Sequence, residues 1–290
     1  MLDVFFISIG EVGAEENFQR LLKFAPKAKR VTDVKGIYSV HKACALQSTT
    51  DNFYVVDADA WIVDGFNFKW KPDKSKLHWG VPESECVTNW LSINPVNGLM
   101  YGYGAVKMFP RKPFMVDTAW TVDMSSSIVK VAINKDIVSN ETRFNATPEG
   151  AWIGAFRECA KLASLTIIKA RINRIKQKEK DELEMLAIQV SNMNCSNKKK
   201  KNYRSAKTVT ITNVYKDEQN ILNHWAEIET CSQRRMVWTT SGQKQLNGEY
   251  AIHGASAGAA FGLHHSDDTP TLNLINNWDW LKKEFENVNI

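Results

Sequence analysis

The chain has 290 residues, of which 43% are hydrophobic, enough to bury a core and too many for a disordered chain. Its 37 Lys and Arg against 32 Asp and Glu leave a net charge of +5, too mild by itself to mark a nucleic-acid partner. Five scattered cysteines (Cys44, Cys86, Cys159, Cys195, Cys231) without CxxC spacing exclude a disulfide framework or zinc ribbon and fit a reducing cytoplasm.

Val4 to Ile9 is a continuous β-prone run ending at Gly10 and Gly13, the pattern of a strand covered on both faces. The run is too short for a secretory signal or a membrane span of about 20 residues, so the expected location is the cytoplasm. Phe18, Leu21, Leu22 and Phe24 then fall near one face of a helix over 14–24 that stops at Pro26. A short strand over 28–34, a helix over 38–47 and a strand over 53–56 follow. Strand, helix, strand, helix, strand predicts a doubly wound α/β layer with right-handed crossovers.

The middle of the chain, from Pro82 to Pro113, carries scattered Gly, Pro and aromatic residues and reads as long loops over the carboxyl edge of the sheet. From Pro148 the pattern is helical, and it continues through a charged stretch to Gln189. A strand over 209–212, a helix over 221–228, a small and Gly-rich run over 254–262 and a closing segment over 272–285 complete the chain. No internal repeat or second domain is visible, so residues 1–290 read as one domain.

Charge is unevenly placed. Residues 169–207 hold 12 basic and 4 acidic residues, and the rest of the chain nets −3. The segment includes Lys198, Lys199, Lys200 and Lys201, followed by Tyr203 and Arg204. Such a run either makes salt-sensitive phosphate contacts to DNA or is a solvated loop.

The string Phe53-Tyr54-Val55-Val56-Asp57-Ala58-Asp59 runs a buried strand directly into two carboxylates separated by one small residue. In an α/β sheet this places them at a carboxyl edge, where ligands collect. Asp57 and Asp59 there can hold a hard divalent cation that keeps positions open for substrate phosphates. A solvated acidic loop is the plain alternative. No GKS/T follows any Gly-rich run, which excludes a Walker-type phosphate loop.

The helix Tyr38-Ser39-Val40-His41-Lys42-Ala43-Cys44-Ala45, followed by that strand and its DxD triplet, resembles the donor half of a GT-A glycosyltransferase and covers roughly residues 1–70. Asn94 to Gly104, Phe109 to Lys112 and Ala155 to Leu162 are similar to segments of phage-encoded glycosyltransferases associated with modified DNA bases, which include enzymes acting on 5-hydroxymethylcytosine. The resemblance implies a GT-A-like, Rossmann-type mixed sheet flanked by helices, with 169–207 as a basic helical insertion. It also implies a UDP-sugar donor, with Mn²⁺ or Mg²⁺ bridging Asp59 and Asp57 to the diphosphate.

On this reading Ser8, Gly10 and Glu11 lie beside the nucleoside, His41 and Lys42 supply supporting cations, and Asn97, Tyr101 and Gly102 wall the sugar. Asp123 and Glu158 are the first choices for a base that takes the acceptor proton; Arg157 and Lys161 equally make Glu158 an ordinary ion-pair residue. His253 is a candidate third metal ligand. Trp61, Trp79, Trp90, Tyr101 and Tyr103 are candidates by type for stacking on an extruded base. The expectation is a monomeric enzyme transferring glucose, galactose or arabinose to 5-hydroxymethylcytosine in phage DNA, with Lys198 to Lys201 and Arg204 on the DNA. The alternatives are transfer to a glycan or small acceptor, and a DNA-binding protein without catalysis.

Overall fold

In the computed structural model, residues 1–164 and 245–288 are described, apart from 79, 97, 99, 102–104, 117, 119 and 121. The first strand, β1 (Asp3–Ser8), is buried on both faces, which explains its unbroken apolar run. Helix α1 (Ala14–Leu22) follows, then β2 (Lys29–Thr32), helix α2 (Ile37–Gln47) and β3 (Asn52–Asp57). β1 lies between β2 and β3 and is parallel to both, with Ile7 opposite Asp57. Phe6, Leu21, Tyr54 and Val56 form the core under α1; Phe5, Val40, Cys44 and Val55 form the core under α2. Strand alternation therefore feeds two apolar layers, one on each face of the sheet.

The middle of the chain departs from the expected loops. It contributes β4 (Ala60–Ile62), the short hairpin β5 (Leu77–His78) and β6 (Val81–Pro82), then β7 (Val87–Ile93), β8 (Met100–Tyr101), β9 (Val106–Pro110) and β10 (Ala132–Thr142). The main sheet has the order β2-β1-β3-β9-β7-β10-β4, with β8 added on β7. β9 is antiparallel to both β3 and β7, and β4 is antiparallel to β10. β1, β2, β3, β7 and β10 consequently point the same way, and their carboxyl ends share one edge. The interior of β7 and β10 is polar (Thr88, Asn89, Ser92, Ser139, Asn140), which hid these strands from a reading of apolar periodicity. Trp90 is buried against Tyr54 and Trp70, so it is a core residue and not a stacking platform.

Short helices α3 (Lys112–Met115) and α4 (Met124–Ser127) precede β10, and the long helix α5 (Pro148–Ala163) follows it. Thr147 caps α5 by accepting from Gly150 N–H at 3.0 Å, with Pro148 in the first turn, where its missing N–H costs nothing. The Gly-rich run is also a helix, α6 (Gly248–His264). Gly254, Gly258 and Gly262 recur at one turn's spacing and lie directly on the α5 backbone. A Cβ added at these glycines would stand 2.3, 2.1 and 2.3 Å from the carbonyl oxygens of Trp152, Phe156 and Ala160. Ala151, Ala155 and Cys159 of α5 pack with Ala251, Ala255 and Ala259 of α6 in the same small-residue interface. Two short C-terminal helices, α7 (Thr269–Leu272) and α8 (Trp278–Glu286), and the 3₁₀ turn between them place Leu272, Ile275 and Leu281 against Trp152 and Phe156 on another side of α5.

Gly258→Ala tests the α5–α6 contact. Helix propensity favours Ala by about 1 kcal/mol, but overpacking against a backbone atom costs about 1–3 kcal/mol or more. The expected outcome is a lower urea midpoint, equivalent to a net loss of about 2 kcal/mol; an unchanged or higher midpoint would show that the helices separate freely.

Candidate functional site

The turn after β3 is held rigidly. Asp57 N–H donates to Ala105 O at 2.8 Å, Asn17 Nδ2 donates to Ala58 O at 2.8 Å, and Arg143 N–H donates to Asp59 O at 2.7 Å. Every backbone group of the triplet named here is tied to a different element, so the two carboxylates stand at a defined place on the sheet edge. Asp57 approaches Lys107 Nζ at 3.9 Å, across from β9. Asp59 Oδ1 is buried and makes no hydrogen bond among the described residues.

Asp59 is therefore an electrostatically strained group. Burial, together with the charges of Asp57 and Glu11, pushes its carboxyl up to about 7, against a smaller opposing pull from Lys107. A divalent cation between Asp57 and Asp59 would fill the unused oxygen and cancel the repulsion, so these residues fit a hard metal ion. No cluster of three or more His, Cys, Asp or Glu side chains suited to a metal occurs among the described residues. The remaining coordination positions would fall to ligand oxygens and water, as is usual for Mg²⁺ held by one or two carboxylates.

Asp57 and Asp59 open on a cleft of about 240 Å³. Helix α5 supplies one wall through Gly154, Arg157, Glu158, Lys161 and Leu162, which share a face at i, i+3, i+4, i+7 and i+8 spacing. Asp123 and Ser125 come from the start of α4, Thr142 from the end of β10, and Asn276 from the 3₁₀ turn before α8. Asp123, Glu158, Asp57 and Asp59, distant in sequence, are thus brought to one cavity.

The described cations of this cleft are Lys107, Arg157 and Lys161. Lys161 Nζ pairs with Asp123 Oδ1 at 3.3 Å. Arg157 Nε donates to Ile275 O at 2.9 Å and its Nη2 to Asn276 Oδ1 at 3.3 Å, so the C-terminal turn orients the guanidinium. Burial lowers the pKa of both Arg157 and Lys161, opposed by the carboxylates facing them: Asp57, Asp59 and Asp123 for the arginine, Asp123 for the lysine.

His41 also lines the cleft, but not as the expected cation. Its Nδ1 meets Ile37 O at 2.7 Å and its ring packs on Phe109 and Phe114. Burial lowers its pKa to about 4, outweighing the pull of Asp57, so the imidazole is neutral at pH 7. Lys42 is half-buried and does not line the cleft. His253 is exposed on α6, where its Nδ1 accepts from Trp152 Nε1 at 2.9 Å, and it is not part of the cleft. It is therefore not brought to Asp57 and Asp59 as a third ligand.

Ser8, Gly10 and Glu11 stand at the carboxyl end of β1, beside β3, but outside the cleft lining. Gly10 has φ of +94°, a backbone that glycine adopts without strain, and Glu11 accepts from Ile9 N–H at 2.7 Å. Asn97, Gly102, the side chain of Tyr101, Trp79, Tyr103, Lys198 to Lys201 and Arg204 lie outside the described residues. Trp61 sits between Arg143 and Arg20, whose guanidinium carbons lie 3.8 and 5.1 Å from its ring. No protein-family model matches the chain, and no curated protein matches it.

The strain at Asp59 has a pH signature. A carboxyl raised from 3.8 to about 7 on folding contributes stability that is fully present below about pH 4 and lost as pH rises through about 7. In metal-free buffer Asp59→Asn should remove that part of the pH dependence of the melting temperature. Mn²⁺ should raise the melting temperature of the unaltered chain more at about pH 8 than at about pH 5, because protons compete for the same oxygens. Equal Mn²⁺ gains at both pH values would place the metal elsewhere.

Proposed function

We propose that the protein is a metal-dependent glycosyltransferase that moves a sugar from a UDP-sugar to 5-hydroxymethylcytosine in phage DNA. The observation that carries this reading is the meeting of an underligated carboxylate pair, three cations and two further acids in one cleft on the carboxyl edge of the sheet. A sugar nucleotide needs this inventory. The bound metal supplies charge neutralisation for the diphosphate leaving group. Asp57 and Asp59 would hold the metal, and Lys107 and Arg157 would stabilise the negative charge that grows on the phosphate oxygens as the glycosidic bond breaks. Asp123 or Glu158 would take the proton of the acceptor hydroxyl. Asp123 is paired with Lys161, and Glu158 stands on the α5 wall of the same cleft.

Two features support DNA as acceptor. The segment-wide basic charge of 169–207 follows in sequence a few residues after Leu162 of the cleft wall, and the similarity of 155–162 to phage DNA-modifying enzymes falls on the same helix. No described helix is long and apolar enough to cross a membrane.

UDP release measured with Mn²⁺ and UDP-glucose, UDP-galactose or UDP-arabinose, with and without hydroxymethylated DNA, tests the reading. DNA-stimulated release supports it, release with glycans alone moves the acceptor, and DNA retention without release from any donor leaves a binding protein. Asp59→Ala should abolish turnover while DNA retention persists. Lys107→Ala should lower kcat by about 10²-fold or more, the usual loss when one donor to a developing oxyanion is removed; full activity would take Lys107 out of the reaction. Replacing Lys198 to Lys201 with Gln should reduce the slope of log affinity against log salt for duplex DNA by about 3 to 4. An unchanged slope would make the lysine run a solvated loop.

A further inference from the structure

Ser92, Asn140 and Thr142 form a polar triangle at the carboxyl ends of β7 and β10. It adjoins the carboxylate turn, because Thr142 pairs in register with Ala60, the residue after Asp59. Asn140 Nδ2 donates to Ser92 Oγ at 2.9 Å and to Thr142 Oγ1 at 3.0 Å, and the two hydroxyls bond to each other. The amide oxygen of Asn140 is met by Ser139 Oγ at 2.8 Å.

The hydrogen count decides the direction of the remaining bond. Both amide hydrogens are used, and the single contact between the hydroxyls consumes one of their two hydrogens, so one hydroxyl hydrogen is left over. Ser92 is 0% exposed, whereas Thr142 is half-buried and lines the cleft. A donor left unmade in the interior costs far more than one facing solvent or ligand. Ser92 therefore donates to Thr142, whose two lone pairs are then filled by Ser92 and Asn140. Among the described residues the Thr142 O–H meets no further acceptor, and it faces the cleft.

We propose that Thr142 is a specificity residue whose fixed hydroxyl donates to a ring or hydroxyl oxygen of the donor sugar. The chemistry at this corner favours an uncharged, oxygen-rich ring over a phosphate. Thr142 and its partners carry no charge and adjoin the Asp57–Asp59 turn, whereas the cations that suit phosphate stand on β9 and α5. Because its acceptor sites are occupied, Thr142 reads only oxygens that accept. The inference rests on the sugar-nucleotide reading of the cleft.

Calorimetric titration of the full chain with UDP, UDP-glucose and UDP-galactose in Mn²⁺ tests it. Thr142→Val keeps the shape and removes the hydroxyl. It should leave UDP affinity within about twofold and weaken the better-bound UDP-hexose by about fivefold to tenfold, the worth of one neutral hydrogen bond. Thr142→Ser should restore the loss, and should Thr142→Val not fold, Thr142→Ala carries the same expectation. Unchanged UDP-hexose affinity in the variant, or equal weakening of UDP and UDP-hexose, overturns the role of Thr142 alone. Failure of the unaltered chain to bind UDP or either sugar nucleotide overturns the nucleotide reading and this inference together.

Discussion

The arrangement of the cleft depends on one unsolved electrostatic problem. Asp59 stands beside Asp57 with a buried oxygen that no donor among the described residues reaches, and Glu11 adds further negative charge from the neighbouring strand end. A fold does not hold such a group by accident of packing, because the turn carrying it is tied down by Asn17, Ala105 and Arg143. Burying a carboxylate oxygen without a donor, beside a second carboxylate, is unfavourable. The tied backbone holds the two carboxylates together at the cleft, and the cost of their proximity remains available to a cation that binds there.

Around that point the positive charges are distributed so that none cancels Asp59. Lys107 leans toward Asp57, Lys161 is paired with Asp123, and the Arg157 guanidinium is aimed by the C-terminal turn. Asn276 links these parts, accepting from Arg157 and donating to Val122 O at 2.9 Å, next to Asp123. The last described elements of the chain thus set the geometry of a site whose acids come from residues 57, 59, 123 and 158. Preorganised charges of this kind need little rearrangement as a leaving group develops charge.

Helix α5 makes the arrangement possible by serving three neighbours at once. Its small residues receive α6 at backbone contact through Gly254, Gly258 and Gly262, its aromatic residues receive α7 and α8, and its polar stripe faces the cleft. A helix gripped so closely has little freedom to slide, and register along α5 fixes the positions of Arg157, Glu158 and Lys161 relative to the sheet edge.

Much of the first half was legible in the amino-acid sequence. The apolar run of β1, the alternation with α1 and α2 and the carboxylates closing β3 follow from local periodicity, and those elements bury both faces as local rules require. Asp123 and Glu158 were accessible as acids near plausible elements, although nothing in their spacing brings them to Asp57 and Asp59. β7 and β10 were not visible, because their interior carries Asn, Ser and Thr, among them Ser92, Ser139 and Asn140, whose partners stand on the other strand. Local sequence therefore determined where the strands begin the fold and where the carboxylate pair stands. Tertiary structure alone decided that His41 is a neutral packed ring, that Lys107, Arg157 and Lys161 are the cations, and that Thr142 has a hydrogen to spare. These properties depend on burial and on partners supplied by other elements, and a side chain's charge and donor count are set by those neighbours and not by its place in the chain.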